Sequence, residues 1–340
     1  MRTRATPREE RADPKEDAMA LSRRDFLGVA GLSPLAARAL GAPPPLPHRP
    51  FGRTGIDVPI LAFGAGSRFV AYETDEEALE VLGRAIDLGM TYIDTAHSYG
   101  DGKSEERVGQ LMPARRKEVV LQTKLGARKA DDARRQLELS LKRLQTDHLD
   151  VVHIHALESR DDLAAIEAKG GVLEAMREAR EQKIARFIGI TGHADPVAMK
   201  EALERHDFDC VQMALNIARA RMSWDDTGKA VATPLGDGSF EALALPVANA
   251  KGMGVIAMKI FGQEHLLGQA TTKELIYYAL SLPVSLATLG MPKPEMLEEN
   301  VALGRTFQAL PPSDMQRLRG KVPEPKKAAF ARFLRHHADA

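Results

Sequence analysis

Between Ile60 and Asn300, short runs rich in Val, Ile and Thr alternate with segments whose apolar positions recur at helical spacing. Eight such pairs can be read. The runs are Leu61–Gly64, Tyr92–Ala96, Val119–Lys124, Leu149–His155, Arg186–Thr191, Cys210–Leu215, Gly254–Ile260 and Ser285–Gly290. In the segments between them, Ala78, Val81, Leu82, Ala85 and Ile86 fall on one helical face, as do Leu137, Leu141 and Leu144. Helix starts are marked by Thr74-Asp75, Asp131-Asp132, Asp195-Pro196 and Lys293-Pro294-Glu295, which place cap residues, proline or acids in the first turn. Strands covered on both faces can be apolar almost throughout instead of alternating.

Eight βα units over residues 60–300 match the roughly 250 residues typical of a (β/α)8 TIM barrel, an α/β architecture. A doubly wound dinucleotide-binding sheet would carry a G-x-G-x-x-G turn. The nearest approach is Gly64-Ala65-Gly66, with Phe69 at the third glycine position. Phe51–Arg53 and Asp57–Pro59 flank Thr54-Gly55-Ile56 and predict a short N-terminal hairpin that plugs the barrel floor. Phe330, Phe333 and Leu334 within Lys321–Ala340 predict a C-terminal helical extension docked on the barrel, not a membrane anchor.

Composition narrows the function classes. Lys and Arg number 47 and Asp and Glu 47, so no net charge provides the long-range attraction that nucleic acid or an anionic membrane requires. The only cysteine, Cys210, has no intramolecular disulfide partner, and no uninterrupted apolar run reaches the roughly 18 residues of a spanning helix.

The first fifty residues read differently from the rest. Ser22-Arg23-Arg24-Asp25-Phe26-Leu27-Gly28 leads into an uncharged stretch to Ala37, then small residues through Ala42, and resembles a twin-arginine export signal. The resemblance implies a signal segment over residues 1–42, transient engagement of the twin-arginine export machinery and a periplasmic destination, or a cytoplasmic one if the signal does not function. Met19 would make a more ordinary start. Pro43-Pro44-Pro45 and Pro47 make residues 43–50 a stiff linker, so the folded domain is expected over residues 51–340.

In a barrel of this kind the chemistry sits at the C-terminal ends of the strands. There the chain places Asp94-Thr95-Ala96-His97-Ser98-Tyr99-Gly100, Gln122-Thr123-Lys124 and His153-Ile154-His155, polar or titratable groups ending apolar runs. His153 and His155 share a strand face, and His153 is expected one layer deeper as a core histidine.

Asp94-Thr95-Ala96 followed by Tyr99-Gly100, then Thr123-Lys124, His155, and Lys293-Pro294-Glu295 before Glu299-Asn300, resembles the aldo/keto reductase family over about Phe51–Asn300. The resemblance implies an oxidoreductase that reduces a small aldehyde or ketone to an alcohol, with hydride from NADPH or NADH bound across the barrel mouth. It implies a catalytic set of Asp94, Tyr99, Lys124 and His155. Tyr99 gives the proton, Lys124 depresses the phenol pKa, Asp94 fixes Lys124, and His155 orients the carbonyl. It implies cofactor contacts at Thr191, Gln212, Met258, Lys259, Gly290, Lys293, Glu299 and Asn300. Two of the family's motifs are altered. Thr191-Gly192-His193 stands where the family has Ser-Asn, and Gly290 and Met296 stand where it has basic residues for the extra phosphate of NADPH.

Ala156–Gly171 and Ile217–Ser239, the second containing Trp224, are the loops expected to set substrate choice. Two other functions compete. His97, His153, His155 and His193 at neighbouring strand ends could serve a metal-dependent barrel hydrolase. Alternatively, the barrel could bind dinucleotide as a non-catalytic sensor.

Overall fold

The structure, a computed structural model, describes residues 43–219, 223–224, 230–231, 238–262 and 266–323. The export-signal segment, most of the Ile217–Ser239 loop including the Trp224 side chain, and the predicted helix beyond Glu324 lie outside the described residues. No helix among the described residues is long and apolar enough to cross a membrane.

The eight expected strands form one closed parallel barrel. They are β3 (Leu61–Gly64), β4 (Tyr92–Asp94), β5 (Val120–Leu125), β6 (Leu149–Ile154), β7 (Ala185–Gly192), β8 (Cys210–Ala214), β11 (Gly254–Met258) and β12 (Leu286–Leu289), with β12 returning to pair with β3. Helices cover the outside, and their sequence signals act as read. Thr74 Oγ1 accepts from the Glu77 N–H, and Asp195 Oδ1 accepts from the N–H groups of Val197 and Ala198 with Pro196 in the first turn. The stretch Ala156–Gly171, expected as a loop, contains the helix Arg160–Glu167 capped by Ser159. Inside Ile217–Ser239, β9 (Ser223–Trp224) and β10 (Ala230–Val231) pair antiparallel.

The hairpin exists, but its first arm is three residues earlier than expected. β1 (His48–Pro50) pairs with β2 (Asp57–Pro59), Arg49 standing opposite Val58. Phe51 opens the turn because its ring is needed inside: it is fully buried, edge-on to Tyr92 at 5.8 Å, and lies where a Cβ on Gly254 would be. Prolines at 50 and 59 cost no ladder bond in a two-stranded ribbon with free edges. The folded body therefore begins before Phe51. Leu46 is 2% exposed, and the Pro47 carbonyl accepts from the Ile60 N–H, so the end of the supposed linker is core.

Strand alternation sorts the interior by depth. Ala62, Tyr92, Val151, Cys210, Ile256 and Leu286 form an apolar layer with Phe51 and Val58 of the hairpin. The residues two positions further along the same strands share its face. They include Asp94, His153, Gln212, Met258 and Thr288, so the chemistry stands directly on the plug. The opposite faces, among them Leu61, Phe63, Ile93 and Leu121, pack under the helices in the larger core.

Two stability predictions follow from these contacts. Phe51→Ala should cost about 3–5 kcal/mol in urea unfolding, because it opens a cavity at the barrel floor. Glu274 completes a capping box with Thr271 and receives Lys321 at 2.9 Å and Arg317 at 3.2 Å. Partial burial opposes its charge, yet these partners and the Thr271 N–H lower its pKa from 4.5 to about 2. A pKa depressed on folding stabilises above the unfolded value and ceases to as pH falls through the folded one. Glu274→Gln should thus lower the unfolding midpoint at neutral pH, and the deficit should shrink between about pH 4.5 and pH 2.

Candidate active site

Lys124 is the centre of the polar layer. It is the penultimate residue of β5, its side chain inward, and is 1% exposed, so its ammonium must find partners within the protein. Asp94 Oδ1 lies 2.5 Å from Nζ, and Nζ donates to the Thr95 carbonyl at 2.8 Å and to the Tyr99 hydroxyl at 2.9 Å. The ammonium also stands 4.5 Å from the centre of the Tyr99 ring.

Asp94 is in turn saturated with donors. Gln122 Nε2 reaches Oδ1 at 2.6 Å, and Gln212 Nε2 reaches Oδ2 at 2.7 Å. The two amides meet at 3.0 Å, and the Tyr92 hydroxyl donates to Gln122 Oε1 at 2.5 Å. Burial pushes the Tyr92 pKa far up, so it remains a donor. The resemblance assigned Gln212 to the cofactor; in the fold its amide also positions Asp94. Gln122 is a site residue that the sequence reading quoted without a role. Its signal was its register, one strand across from Asp94.

His155 follows β6, 6% exposed, its ring edge-on to Tyr99 at 5.7 Å. His153 is fully buried one layer down, as expected, with Nε2 3.1 Å from Cys210 Sγ. Gly189 leaves room for that contact, since a Cβ there would fall 2.6 Å from the imidazole. Burial, then the charge of Lys124, hold the His153 pKa well below its usual value.

Asp94, Tyr99 and Gln212 open into a cleft across the C-terminal mouth. Met258, Lys259 and Gly290 line it as expected. The other expected contacts are not among its lining residues. Thr191 Oγ1 accepts from the Ala156 N–H at 2.9 Å, Lys293 and Glu299 are exposed, and Asn300 is buried in its helix. The cleft is lined instead by Gly64 at the end of β3 and Gly66, Ser67 and Arg68 after it, by Phe261, and by Thr288, Pro292 and Met296. Met296, which stands where the family has a basic residue, lies in the helix after β12; Ser67, Arg68, Phe261, Thr288 and Pro292 were signalled only by position at or just beyond the C-terminal end of a barrel strand.

The arrangement admits a dinucleotide. Glycines at 64, 66 and 290 let a ligand approach backbone, Arg68 and Lys259 supply positive charge, and Thr288 Oγ1 is buried with no partner among the described residues. No group of three or more His, Cys, Asp or Glu among the described residues is placed to share a metal ion, which removes the geometric basis of the hydrolase alternative.

Comparison with known proteins decides the family. Residues 61–322 match the Aldo/keto reductase family. The chain belongs to that family. An uncharacterised oxidoreductase of Bacillus subtilis is 28% identical over 173 residues, 47% of this chain and 54% of the relative. L-galactose dehydrogenase of Arabidopsis thaliana is 32% identical over 158 residues, 42% of this chain and 48% of the relative. The matched region thus spans about half the length of these curated relatives. A thermostable aldo-keto reductase solved with the inhibitor epalrestat is 28% identical, with a TM-score of 0.62 covering 81% of this chain and 99% of that one. In this aldo/keto reductase family member, Lys124 touches both Asp94 and Tyr99, and His155 packs against the Tyr99 ring.

Proposed function

We propose that the protein reduces a small aldehyde or ketone to an alcohol, using NADPH or NADH held in the cleft. The observation that carries this reading is the unbroken contact from Asp94 through Lys124 to Tyr99 at the cleft floor. An ammonium has no lone pair, so the Tyr99 oxygen can only accept from Lys124. Its own proton is then given elsewhere, and the hydroxyl borders the cleft. As the proton leaves, negative charge grows on the phenol oxygen beside a buried cation that is already in position, an interaction strengthened by exclusion of water. Asp94 keeps that cation fixed, and Gln122 and Gln212 keep Asp94 fixed. His155, packed against the Tyr99 ring, directs the carbonyl oxygen towards the hydroxyl.

The nicotinamide, when bound, supplies the hydride. Arg68 and Lys259 would hold the dinucleotide's phosphates, Phe261 would offer an aromatic face, and Thr288 a hydroxyl for a polar group. The relative named as an L-galactose dehydrogenase supports a carbonyl–alcohol couple as the chemistry.

We also propose that residues 1–42 direct export of the folded protein through the twin-arginine route. Arg23-Arg24 with its uncharged follower supports it, as does a cofactor that must enter a finished barrel before transit.

Three outcomes test these readings. Tyr99→Phe should lower kcat for aldehyde reduction by about 10²–10⁴ and leave the NADPH dissociation constant unchanged, because only the acid is lost. Equal turnover by this variant would reject Tyr99 as the proton donor, and absence of any turnover in the unaltered protein would favour the sensor. Lys259→Met and Arg68→Met should each weaken NADPH binding about tenfold to a hundredfold in a fluorescence titration, the size of one charge-assisted contact. Arg23→Lys with Arg24→Lys should retain active protein in the cytoplasm on fractionation; wholly cytoplasmic, uncut protein without the change would end the export reading.

A further inference from the structure

The loop that carries Tyr99 has an unusual backbone. Gly100, Asp101 and Gly102 follow it with φ of 58°, 55° and 99°, three consecutive residues in the left-handed region. Asp101 has a Cβ, so this conformation costs more there than at the flanking glycines, although Asp tolerates it better than most residues. Arg143, the last residue of the helix Ala130–Arg143, contacts this turn. Its Nη1 donates to the His97 carbonyl and its Nη2 to the Asp101 carbonyl, both at 3.1 Å, so one planar group holds the two ends of the turn. A Cβ on Gly102 would fall 2.1 Å from the guanidinium carbon, so the turn lies against it.

Glu105 stands behind the guanidinium. It is fully buried, with Oε2 3.5 Å from Arg143 Nη1, and Oε1 accepts from the Thr123 hydroxyl at 2.6 Å. Thr123 is the neighbour of Lys124 in β5, and the Lys124 carbonyl accepts from the His97 N–H at 3.0 Å. One carboxylate therefore ties the turn after Tyr99 to the strand that carries Lys124.

We propose that Arg143, on a helix that contributes no residue to the cleft, is a positioning residue whose guanidinium, backed by Glu105, holds the left-handed turn that sets Tyr99 against Lys124. The proposal rests on Tyr99 as the proton donor for its catalytic consequence, but the clamp itself can be read without catalysis.

The test compares the full chain with Arg143→Ala and Arg143→Lys by hydrogen exchange of the peptide covering residues 97–102, by NADPH titration, and by steady-state reduction of 4-nitrobenzaldehyde. The expected result is faster exchange confined to residues 97–102 in Arg143→Ala. Its kcat should fall about a hundredfold, as a misplacement near 1 Å can cause, with KM and the NADPH dissociation constant within about twofold. Guanidinium at non-denaturing concentration should return part of the kcat, and Arg143→Lys should lie between the two. Unchanged exchange at residues 97–102 would overturn the proposal, as would faster exchange with unaltered kcat. Faster exchange across the whole chain in both variants would also overturn it, by making Arg143 a general stability element. If Tyr99→Phe stays active, the proton-donor reading fails while the exchange comparison still decides the clamp.

Discussion

A lysine ammonium sealed inside a barrel is the constraint on which this site depends. A buried charge left unpaired costs several kcal/mol, so Lys124 requires an anion and good hydrogen-bond geometry within reach. Asp94 meets the first need, and Thr95 and Tyr99 complete the second. The carboxylate creates the same demand one step further on, and the amides of Gln122 and Gln212 answer it. The polar cluster is thus close to fully satisfied. Such a cluster favours a single arrangement, because few rotations leave every donor matched. The same saturation reaches the edge of the cleft at Tyr99, whose oxygen accepts from the Lys124 ammonium.

The barrel supplies the conditions for that cluster through alternation alone. Each strand turns every second side chain inward, so the apolar layer of Tyr92, Val151, Cys210, Ile256 and Leu286 is succeeded on the same face by the polar one. The hairpin closes the floor with Phe51, which keeps water from reaching the polar layer from beneath. Stability and chemistry are separated by depth along one set of strands.

The mouth is built differently. Its lining comes from strand ends and the loops after them, where glycines at 64, 66 and 290 expose backbone and where Arg68 and Lys259 bring charge. The Tyr99 turn belongs to this loop layer yet must meet a strand residue at 2.9 Å. A loop can hold that accuracy only if something braces it, and Arg143 with Glu105 occupies that place between helix, turn and β5.

Local pattern was sufficient for the eight strands, their order and the helix caps at Thr74 and Asp195. Each of these depends on hydrophobic period or on groups close in sequence. Asp94, Lys124, Tyr99 and His155 come together because strand ends in a barrel are adjacent by construction; their roles were suggested by the family resemblance and not by spacing. Other assignments required the fold. Whether Gln212 turns towards Asp94 or towards the cleft is decided by a contact 118 positions away along the chain. The hairpin register was misread by three residues because Phe51 is drawn into the space left by Gly254, a partner over two hundred residues distant that leaves no local trace. Thr191 retained the expected hydroxyl, and the fold adds to it a bond from the Ala156 N–H. Period and caps are properties of a segment, whereas the aim of a buried side chain is settled by all the groups that compete for it once the barrel has closed.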